Sequence, residues 1–411
     1  MNKQPQYIDL FAGCGGLSLG LKRAGWQGVF AIEKSEDAFN TLKHNLIDRD
    51  VAGKFDWPEW LPCEAHTTSN LIANYGGKLG KLRGKIDLIA GGPPCQGFSF
   101  AGKRNPNDPR NKLTDEYIEL VNIVRPKFLL LENVGGFKAG FRGSDEPPYS
   151  EVVKQTLSEL PWGGYEVFSS MVNASKFGVP QPRARFIMVA VRSDLAAKIE
   201  VDPFNEFDDF CQGFRDQMLL NGHEISVREA IADLEIGRRK LIESVDSKGF
   251  RQINYREPKK MSAFQALMRK DVSSSYKPNS LRMAKHREST IVKFIEVLTT
   301  CPKGKALSKE NRERFNSKKQ CLTPLHPDQM SKTITTLPDD LIHYSEPRIL
   351  TVRENARIQS FPDWFEFQGK YTTGGSRRKL ECPRYTQVGN AVPPLMAEAL
   401  GQKIMQLFEA L

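Results

Sequence analysis

The sequence predicts an α/β fold, with a doubly wound sheet and a second, smaller domain inserted late in the chain. Three observations support this prediction. A glycine-rich turn at residues 12–16 joins a first strand to a helix, and two short, largely apolar runs at 86–90 and 128–131 are typical of buried parallel strands. From Ser193 onward, short helical patches alternate with polar loops.

Composition excludes several classes of protein. The 411 residues suffice for two domains, or for one large domain with an insertion. No apolar run reaches about 18 residues and no signal-peptide region follows Met1, so we expect neither a membrane span nor secretion. Seven scattered cysteines without a CxxC pair indicate a reducing compartment and argue against disulfides or zinc. We expect a cytoplasmic protein that binds no metal.

The positive charge is concentrated in one part of the chain. The formal net charge is +10, and residues 251–330 alone carry 18 Lys and Arg against 7 Asp and Glu. A basic window of this kind favours a polyanionic partner, above all nucleic acid. The alternative is a solvated, lysine-rich surface.

The first strand, turn and helix have the pattern of a cofactor site. A strand at 7–11 leads into the turn at 12–16 and then into a helix that ends near Gly25. The next strand, 29–32, ends in Glu33, whose carboxylate can accept hydrogen bonds from both hydroxyls of a ribose. The pattern predicts a nucleotide-like cofactor, and the missing Gly-x-Gly-x-x-Gly counts against NAD.

Cys95 lies in a rigid turn, Gly91–Ser99, directly after the apolar run at 86–90. Prolines fix its backbone, and glycines on both sides allow close approach to another group. The end of a buried strand is where open α/β sheets bind ligands, so Cys95 is a candidate nucleophile. An inert structural cysteine is the alternative. The polar loop at 102–112 is a candidate lid or an ordinary surface loop.

Charged residues flank two other predicted strands. Glu132 ends the strand at 128–131, where a carboxylate points into the ligand crevice or forms a structural ion pair. Arg183 and Arg185 lie at the start of a strand over 185–191 and point the same way if extended. They can bind a phosphate or a base carbonyl, or lie on the surface.

The remaining pattern predicts a helix over 37–47, an irregular connection over 49–84 and a helix over 115–124. A basic helix begins near residue 350. A C-terminal helix presents an apolar face that must pack against another element; this face carries Leu395, Ala399, Leu400, Ile404, Leu407 and Phe408.

Six stretches carry a family resemblance: Asp9–Gly16, Gly92–Ser99, Glu132–Val134, Gln181–Arg185, Arg353–Pro362 and Gly389–Pro394. Taken in this order, they resemble the prokaryotic cytosine-5 DNA methyltransferases. The similarity covers nearly the whole chain outside its middle domain. It implies a Rossmann-like, S-adenosylmethionine-dependent methyltransferase sheet with a target-recognition domain.

The resemblance implies transfer of a methyl group from S-adenosylmethionine to carbon 5 of a cytosine flipped out of duplex DNA, with S-adenosylhomocysteine as the product. Cys95 would attack carbon 6, and Glu132 would bind ring nitrogen 3 and the exocyclic amine. Arg185, supported by Arg183, would hold the base carbonyl. No residue is an obvious base for the carbon 5 proton, and water is an alternative.

The resemblance also implies binding residues. Cofactor contacts fall on Phe11, Gly13, Gly15, Gly16, Glu33, Asn70, Leu71, Pro94, Asn390 and Val392. The pair Asn70-Leu71 stands where the family usually has Asp-Ile. DNA contacts fall on Gln96, Ser99, Lys103, Arg104, Arg110, Thr335 and Thr336. Cys14 lies in the cofactor turn without an assigned role.

We predict a catalytic and cofactor-binding domain at 1–195, a basic target-recognition domain at 196–350, a bridging region at 351–384 and a returning C-terminal helix at 385–411. Double-stranded DNA is the expected partner, bound between the domains. The resemblance implies a nucleoid-associated bacterial monomer, either solitary or paired with a restriction endonuclease. Two alternatives stay open: an RNA (tRNA) cytosine-5 methyltransferase and a catalytically inactive DNA-binding protein.

Overall fold

The structure, a computed structural model, describes residues 4–49, 51, 53–94, 112–139, 147–199, 202–220, 222–237, 239–374, 377 and 381–411. The chain divides into two compact units. Unit 1 consists of Met1–Lys176, Ala184–Cys211 and Pro394–Leu411, and unit 2 consists of Phe177–Arg183 and Gln212–Pro393. The domain boundaries predicted above stay predictions.

The described part of unit 1 is built on a six-stranded sheet with the order β2-β1-β3-β4-β6-β5. Its strands are β1 (Gln6–Leu10), β2 (Gln27–Ile32), β3 (Leu88–Gly91), β4 (Phe128–Asn133), β5 (Tyr165–Asn173) and β6 (Ala184–Arg192). The first four strands pair in parallel, whereas β6 pairs antiparallel with β4 and β5. The α/β prediction is confirmed.

Helices cover both faces of this sheet. The helices of unit 1 are α1 (Gly16–Arg23), α2 (Glu36–Lys43), α3 (Thr68–Gly80), α4 (Lys112–Val124), α5 (Tyr149–Ser158), α6 (Ser193–Ala196) and α14 (Pro394–Glu409). Successive strand residues point to opposite faces. In β1, Ile8 packs in the core formed with α3, α4 and α5, whereas the hydroxyl of Tyr7 donates to Ser18 O in α1.

Helix α3 lies inside the stretch predicted to be irregular, so that prediction is wrong. The Thr67 side chain caps its first turn by accepting a hydrogen bond from Asn70 N at 3.1 Å. The helix buries Leu71 and Leu79, but glycines occupy three of its thirteen positions. Because glycine is a poor helix former, these positions weakened the helical signal in the sequence.

The C-terminal helix α14 packs closely on α1, as its apolar face predicted. A Cβ atom at Gly20 would lie only 2.4 Å from Cβ of Ala397, and one at Gly401 would lie 2.8 Å from Cβ of Ala24. The indole Nε1 of Trp26 donates to Gly401 O at 3.0 Å. Small residues therefore let the two helix backbones approach closely.

Unit 2 has short elements joined by long loops. In the part of unit 2 that the structure describes, the strands form two pairs, β7 (Ile242–Glu243) with β8 (Arg251–Gln252), and β9 (Thr323–Pro324) with β10 (Leu341–Ile342). Its helices are α8 (Val227–Ile231), α9 (Ala263–Arg269), α10 (Glu288–Thr300), α11 (Lys309–Arg314), α12 (Val352–Ile358) and α13 (Arg384–Asn390). Helix α7 (Phe207–Gln217) begins in unit 1 and ends in unit 2. None of the described helices could cross a membrane.

Charged side chains are buried in the interior of unit 2 beside its apolar residues. Arg357 in α12 is fully buried and binds Asp233 and Asp363 through both edges of its guanidinium, with distances of 2.5–3.1 Å. The equally buried Arg353 donates to the carbonyl oxygens of Asn279, Pro362 and Phe365. Helix α12 is therefore a core helix held by the ion pairs of Arg357 and by the hydrogen bonds from Arg353 to main-chain carbonyls.

Candidate active site

The turn after β1 has a backbone that favours glycine. Phe11, Gly13 and Gly15 have φ angles of 60°, 56° and 94°. A Cβ at Gly15 would also lie 3.1 Å from the side chain of Leu46, so this position is restricted by both φ and packing. No described atom lies within 4 Å of a Cβ at Gly13. The turn leaves open space above Gly13 and starts α1 at Gly16.

The carboxylate of Glu33, at the end of β2, is fixed against this turn. Its Oε2 accepts a hydrogen bond from Gly13 N at 3.0 Å, and its Oε1 accepts one from Ser35 N at 2.8 Å. Burial raises the pKa of Glu33 above its usual value, and the two hydrogen bonds act in the opposite direction. Each carboxylate oxygen retains a lone pair for a further donor.

Asn70 and Leu71, two of the residues that the resemblance assigns to the cofactor, have different environments. Asn70 is exposed in the first turn of α3, and its assignment stays a prediction. Leu71 has no exposed surface and packs in the core, and its assignment to the cofactor also stays a prediction. His66 N instead donates to Glu33 O at 2.9 Å, so the segment before α3 lies beside the ribose-binding candidate. Thr67, which caps the start of α3, was the signal in the sequence that could have located this segment.

Glu132 and Arg185 form an ion pair across two neighbouring strands. In the antiparallel pairing of β4 and β6, Glu132 lies opposite Ile187, and Arg185 shares the sheet face of Ile187 because strand side chains alternate. Nε of Arg185 lies 2.7 Å from Oε1 of Glu132, and the two side chains are 15% and 13% exposed. The pair is shielded but reachable from the surface.

The start of the Cys95 turn passes directly beside this pair. A Cβ at Gly92 would lie 3.1 Å from Oε2 of Glu132. The side-chain amide of Asn133 donates to Pro93 O at 3.4 Å, which ties the end of β4 to the turn. Pro94 is half-buried. Six predicted site residues lie outside the described residues: Cys95, Gln96, Ser99, Lys103, Arg104 and Arg110.

Arg183 has surroundings unlike those of Arg185. It is 3% exposed in unit 2, where Nη1 donates to Ile334 O at 2.9 Å and Nη2 donates to Gly389 O at 2.7 Å. Gln181 also binds main chain in this region. Its side-chain Nε2 donates a hydrogen bond to Ile358 O, and its Oε1 accepts one from Ile334 N. These contacts hold main chain in place, and the predicted role of Arg183 at the base carbonyl stays a prediction.

Thr335 and Thr336, the threonines predicted to contact DNA, pack against Gly389 of α13. A Cβ at Gly389 would lie 2.4 Å from Thr335 O and 2.7 Å from Thr336 N. The exposed Thr335 donates its hydroxyl hydrogen to Asp340 at 2.7 Å. In unit 2, Asn390 is exposed and Val392 is half-buried. Their assignment to the cofactor stays a prediction.

Comparison with known proteins identifies the family. The sequence model for C-5 cytosine-specific DNA methylase matches residues 6–406. The chain belongs to this family. It is 31% identical over 414 residues to the Type II methyltransferase M.DdeI of Desulfomicrobium norvegicum, covering 98% of this chain and 89% of the relative. It is 29% identical to the Type II methyltransferase M.XorII of Xanthomonas oryzae pv. oryzae, covering 98% and 85%.

A solved structure shares the fold. The putative DNA modification methyltransferase encoded within a prophage of E. coli superposes with a TM-score of 0.66 at 24% sequence identity, covering 98% of this chain and 99% of the other. The predicted family, fold class and enzyme class are therefore confirmed. This methylase is a DNA cytosine-5 methyltransferase, and enzymes of its family use S-adenosylmethionine.

The residues of the methylase fit this cofactor at the first turn. Among the described residues, the space above Gly13 is open to a ligand next to the backbone, and the partly buried Glu33 carboxylate is already oriented by two main-chain donors. Its remaining lone pairs suit a pair of ribose hydroxyls. Within the described ranges, no group of three or more His, Cys, Asp or Glu residues is placed to hold a metal ion.

Proposed function

We propose that this methylase flips a cytosine out of a specific duplex sequence and methylates it through a covalent bond between Cys95 and carbon 6. The ion pair of Glu132 and Arg185 is the observation that carries the proposal. It lies beside Gly92, in the same turn as Cys95, at the end of parallel strands where α/β sheets bind ligands.

The proposed chemistry makes carbon 5 nucleophilic. The Cys95 thiolate forms a bond to carbon 6, and the electron pair of the 5,6 double bond moves into the ring. Glu132, held by Arg185, delivers or shares a proton at ring nitrogen 3, which spreads the developing negative charge. Arg185 binds the base carbonyl, with Arg183, two residues earlier in the chain, as its support.

Bound S-adenosylmethionine supplies an electrophilic methyl group, which carbon 5 takes up with release of S-adenosylhomocysteine. Loss of the carbon 5 proton then expels the Cys95 thiolate and restores the double bond. The cofactor contacts proposed here are Phe11, Gly13, Gly15, Gly16, Glu33, Asn70, Leu71, Pro94, Asn390 and Val392. Water is the proposed acceptor of the carbon 5 proton.

DNA recognition is proposed to use two regions. Gln96, Ser99, Lys103, Arg104 and Arg110 follow or lie near the nucleophile in the sequence, whereas Thr335 and Thr336 lie in unit 2. The surplus of positive charge over residues 251–330 suits phosphate contacts that fix the protein on the duplex. Base contacts within unit 2 would then select the sequence.

The names of its relatives suggest a biological setting. Both M.DdeI and M.XorII are named Type II methyltransferases. We propose that a restriction endonuclease acting on the same site accompanies this methylase, and that it works as a monomer on the nucleoid in the bacterial cytoplasm.

Bisulfite sequencing tests the proposed reaction. The native chain and Cys95→Ser are expressed in a host without cytosine methylation. We expect protected cytosines in one recurring motif with the native chain and full conversion with the variant, because serine is a much weaker nucleophile. Protection with both chains would contradict covalent catalysis by Cys95. Full conversion with both would contradict DNA methylation and favour RNA methylation or inactive binding.

A further inference from the structure

A pocket of about 360 Å³ lies at the ends of the unit 1 strands, on the side of the sheet opposite to the strand end that carries Glu132. Its lining includes Arg83, Arg125 and Arg192, which come from the segments before β3, before β4 and at the end of β6. Strand β6 has nine residues, so its two ends are separated by roughly 26 Å. The pocket is therefore remote from the Glu132–Arg185 pair.

The charges in this pocket do not balance. Asp194 uses both carboxylate oxygens on Arg192, at 2.6 and 3.0 Å, and neutralises that guanidinium. Within the described part of the chain, no carboxylate lies in salt-bridge contact with Arg83 or Arg125. Toward the described residues, Arg83 donates from Nε alone, to Ile123 O at 3.1 Å. Two positive charges are thus left without a counter-ion.

Arg125 is held in place at some conformational cost. It follows the end of α4 with a φ of 52°, a left-handed conformation that favours glycine. Its guanidinium lies 5.0 Å over the ring of Trp162, and its carbonyl accepts a hydrogen bond from Arg192 Nη1 at 3.3 Å. Among the described residues, its buried Nε has no hydrogen-bond partner. Non-glycine residues in such conformations concentrate at functional sites.

We propose that this arginine pocket, formed by Arg83, Arg125, Trp162 and Arg192, is a second ligand site that binds a phosphate group. Two uncompensated guanidiniums suit a dianion better than a carboxylate, and guanidinium groups bind phosphate oxygens with paired donors. The phosphate comes either from a small molecule or from the backbone of a DNA segment outside the catalytic site.

Isothermal titration calorimetry with inorganic phosphate tests the proposal on the full chain in a chloride buffer. Arg125→Gly removes the guanidinium and relieves the left-handed backbone, so this variant should melt no lower than the native protein. Arg83→Gln, at an exposed position, is a second variant. Lys154→Gln removes one exposed charge on α5, outside the pocket lining, and is the control.

We expect saturable phosphate binding by the native protein and the control, and affinities lower by about tenfold or more in Arg125→Gly and Arg83→Gln. A parallel titration uses a short duplex without a methylation site. Weaker duplex binding by Arg125→Gly indicates a backbone phosphate, and unchanged duplex binding with lost phosphate binding indicates a small molecule. Phosphate binding by Arg125→Gly at the native affinity would overturn the proposal. The proposal would also fail if the native protein bound neither phosphate nor the duplex in a way that depends on Arg125.

Discussion

Gly92 has no side chain at the point where the Cys95 turn passes the Glu132 carboxylate. A Cβ there would lie 3.1 Å from Oε2, tighter than an ordinary van der Waals contact. The opposite oxygen, Oε1, is held by Arg185, so the carboxylate cannot move away without weakening the ion pair. Gly92 therefore acts as a positioning residue for Glu132.

We predict that Gly92→Ala slows methyl transfer by about 10²-fold, comparable to loss of an acid–base group, because the added methyl displaces Glu132. Transfer of radiolabelled methyl groups to DNA measures the rate, and calorimetry measures cofactor affinity, which should change little. Gly76→Ala is the control, since no described atom lies within 4 Å of a Cβ there. Equal rates in both variants would show that Glu132 tolerates the methyl group.

Asp9 is a second residue with an unusual environment. It is fully buried in β1, and its Oδ2 accepts a hydrogen bond from the Ser18 hydroxyl at 2.5 Å. Within the described residues, Oδ1 has no partner. Burial raises the pKa of Asp9 from 3.8 to about 7, the Ser18 hydrogen bond lowers it, and the charge of Glu33 raises it further.

This raised pKa gives a stability change of definite sign. Between about pH 4 and pH 7 the folded protein holds a proton on Asp9 that the unfolded chain has lost, so the contribution of Asp9 to stability increases as the pH falls through 7. Asp9→Asn should be more stable than the native protein at pH 8, by about 1–4 kcal/mol, with a smaller difference at pH 5. Chemical unfolding at both pH values measures this. A difference independent of pH would contradict the assignment.

At the scale of elements, the close packing of α1 on α14 depends on the absence of a side chain at Gly20. A Cβ at Gly20 would lie 2.4 Å from Cβ of Ala397, 2.5 Å from Glu398 N and 2.6 Å from Pro394 O. Two of these atoms belong to the backbone of α14, which cannot rotate aside as a side chain can. The contact decides how close the two helices come.

We therefore predict that Gly20→Ala lowers the free energy of unfolding by about 1–3 kcal/mol, although alanine is the better helix former. Gly77→Ala makes the same change in α3, where no described atom lies within 4 Å of the new Cβ, and should stabilise by about 0.5–1 kcal/mol. Thermal and chemical unfolding compare the two. Stabilisation by both substitutions would show that α14 shifts to accept the methyl group.

At the scale of the whole molecule, charge distribution controls encounter with DNA. Residues 251–330 hold 18 Lys and Arg against 7 Asp and Glu, within a chain whose net charge is +10. Several of these charged side chains form ion pairs inside unit 2. Arg269, for example, binds Asp363 and Glu257. Others, including Lys259 and Lys260, are exposed and available to phosphates.

Binding to DNA should therefore weaken steeply as salt is added, because each neutralised phosphate releases a counter-ion. The double variant Lys259→Gln and Lys260→Gln should reduce the slope of log K against log salt by about one to two. Fluorescence anisotropy with a labelled duplex measures the slope, and Lys154→Gln in unit 1 is the matched control. An unchanged slope in the double variant would exclude this segment from phosphate contact.

The sequence by itself determined the elements whose signals are local. The apolar runs of β3 and β4, the glycine turn after β1 and the apolar face of α14 all follow from residue order, since strand and helix periodicities act over a few positions. The six motifs in order also determined the family. Helix α3 was missed because its glycines obscured the local pattern.

Only the tertiary structure decided which residues meet. Glu132 pairs with Arg185 because β6 lies antiparallel beside β4, a choice of neighbour that no local period encodes. Arg183, two residues earlier, is instead enclosed by main-chain carbonyls from distant segments. Helix α12 reads as basic in sequence, yet the fold buries Arg357 against Asp233, from a distant segment, and against Asp363, and buries Arg353 against main-chain carbonyl oxygens. Burial and pairing depend on contacts between segments far apart in the chain, so they arise only when it folds.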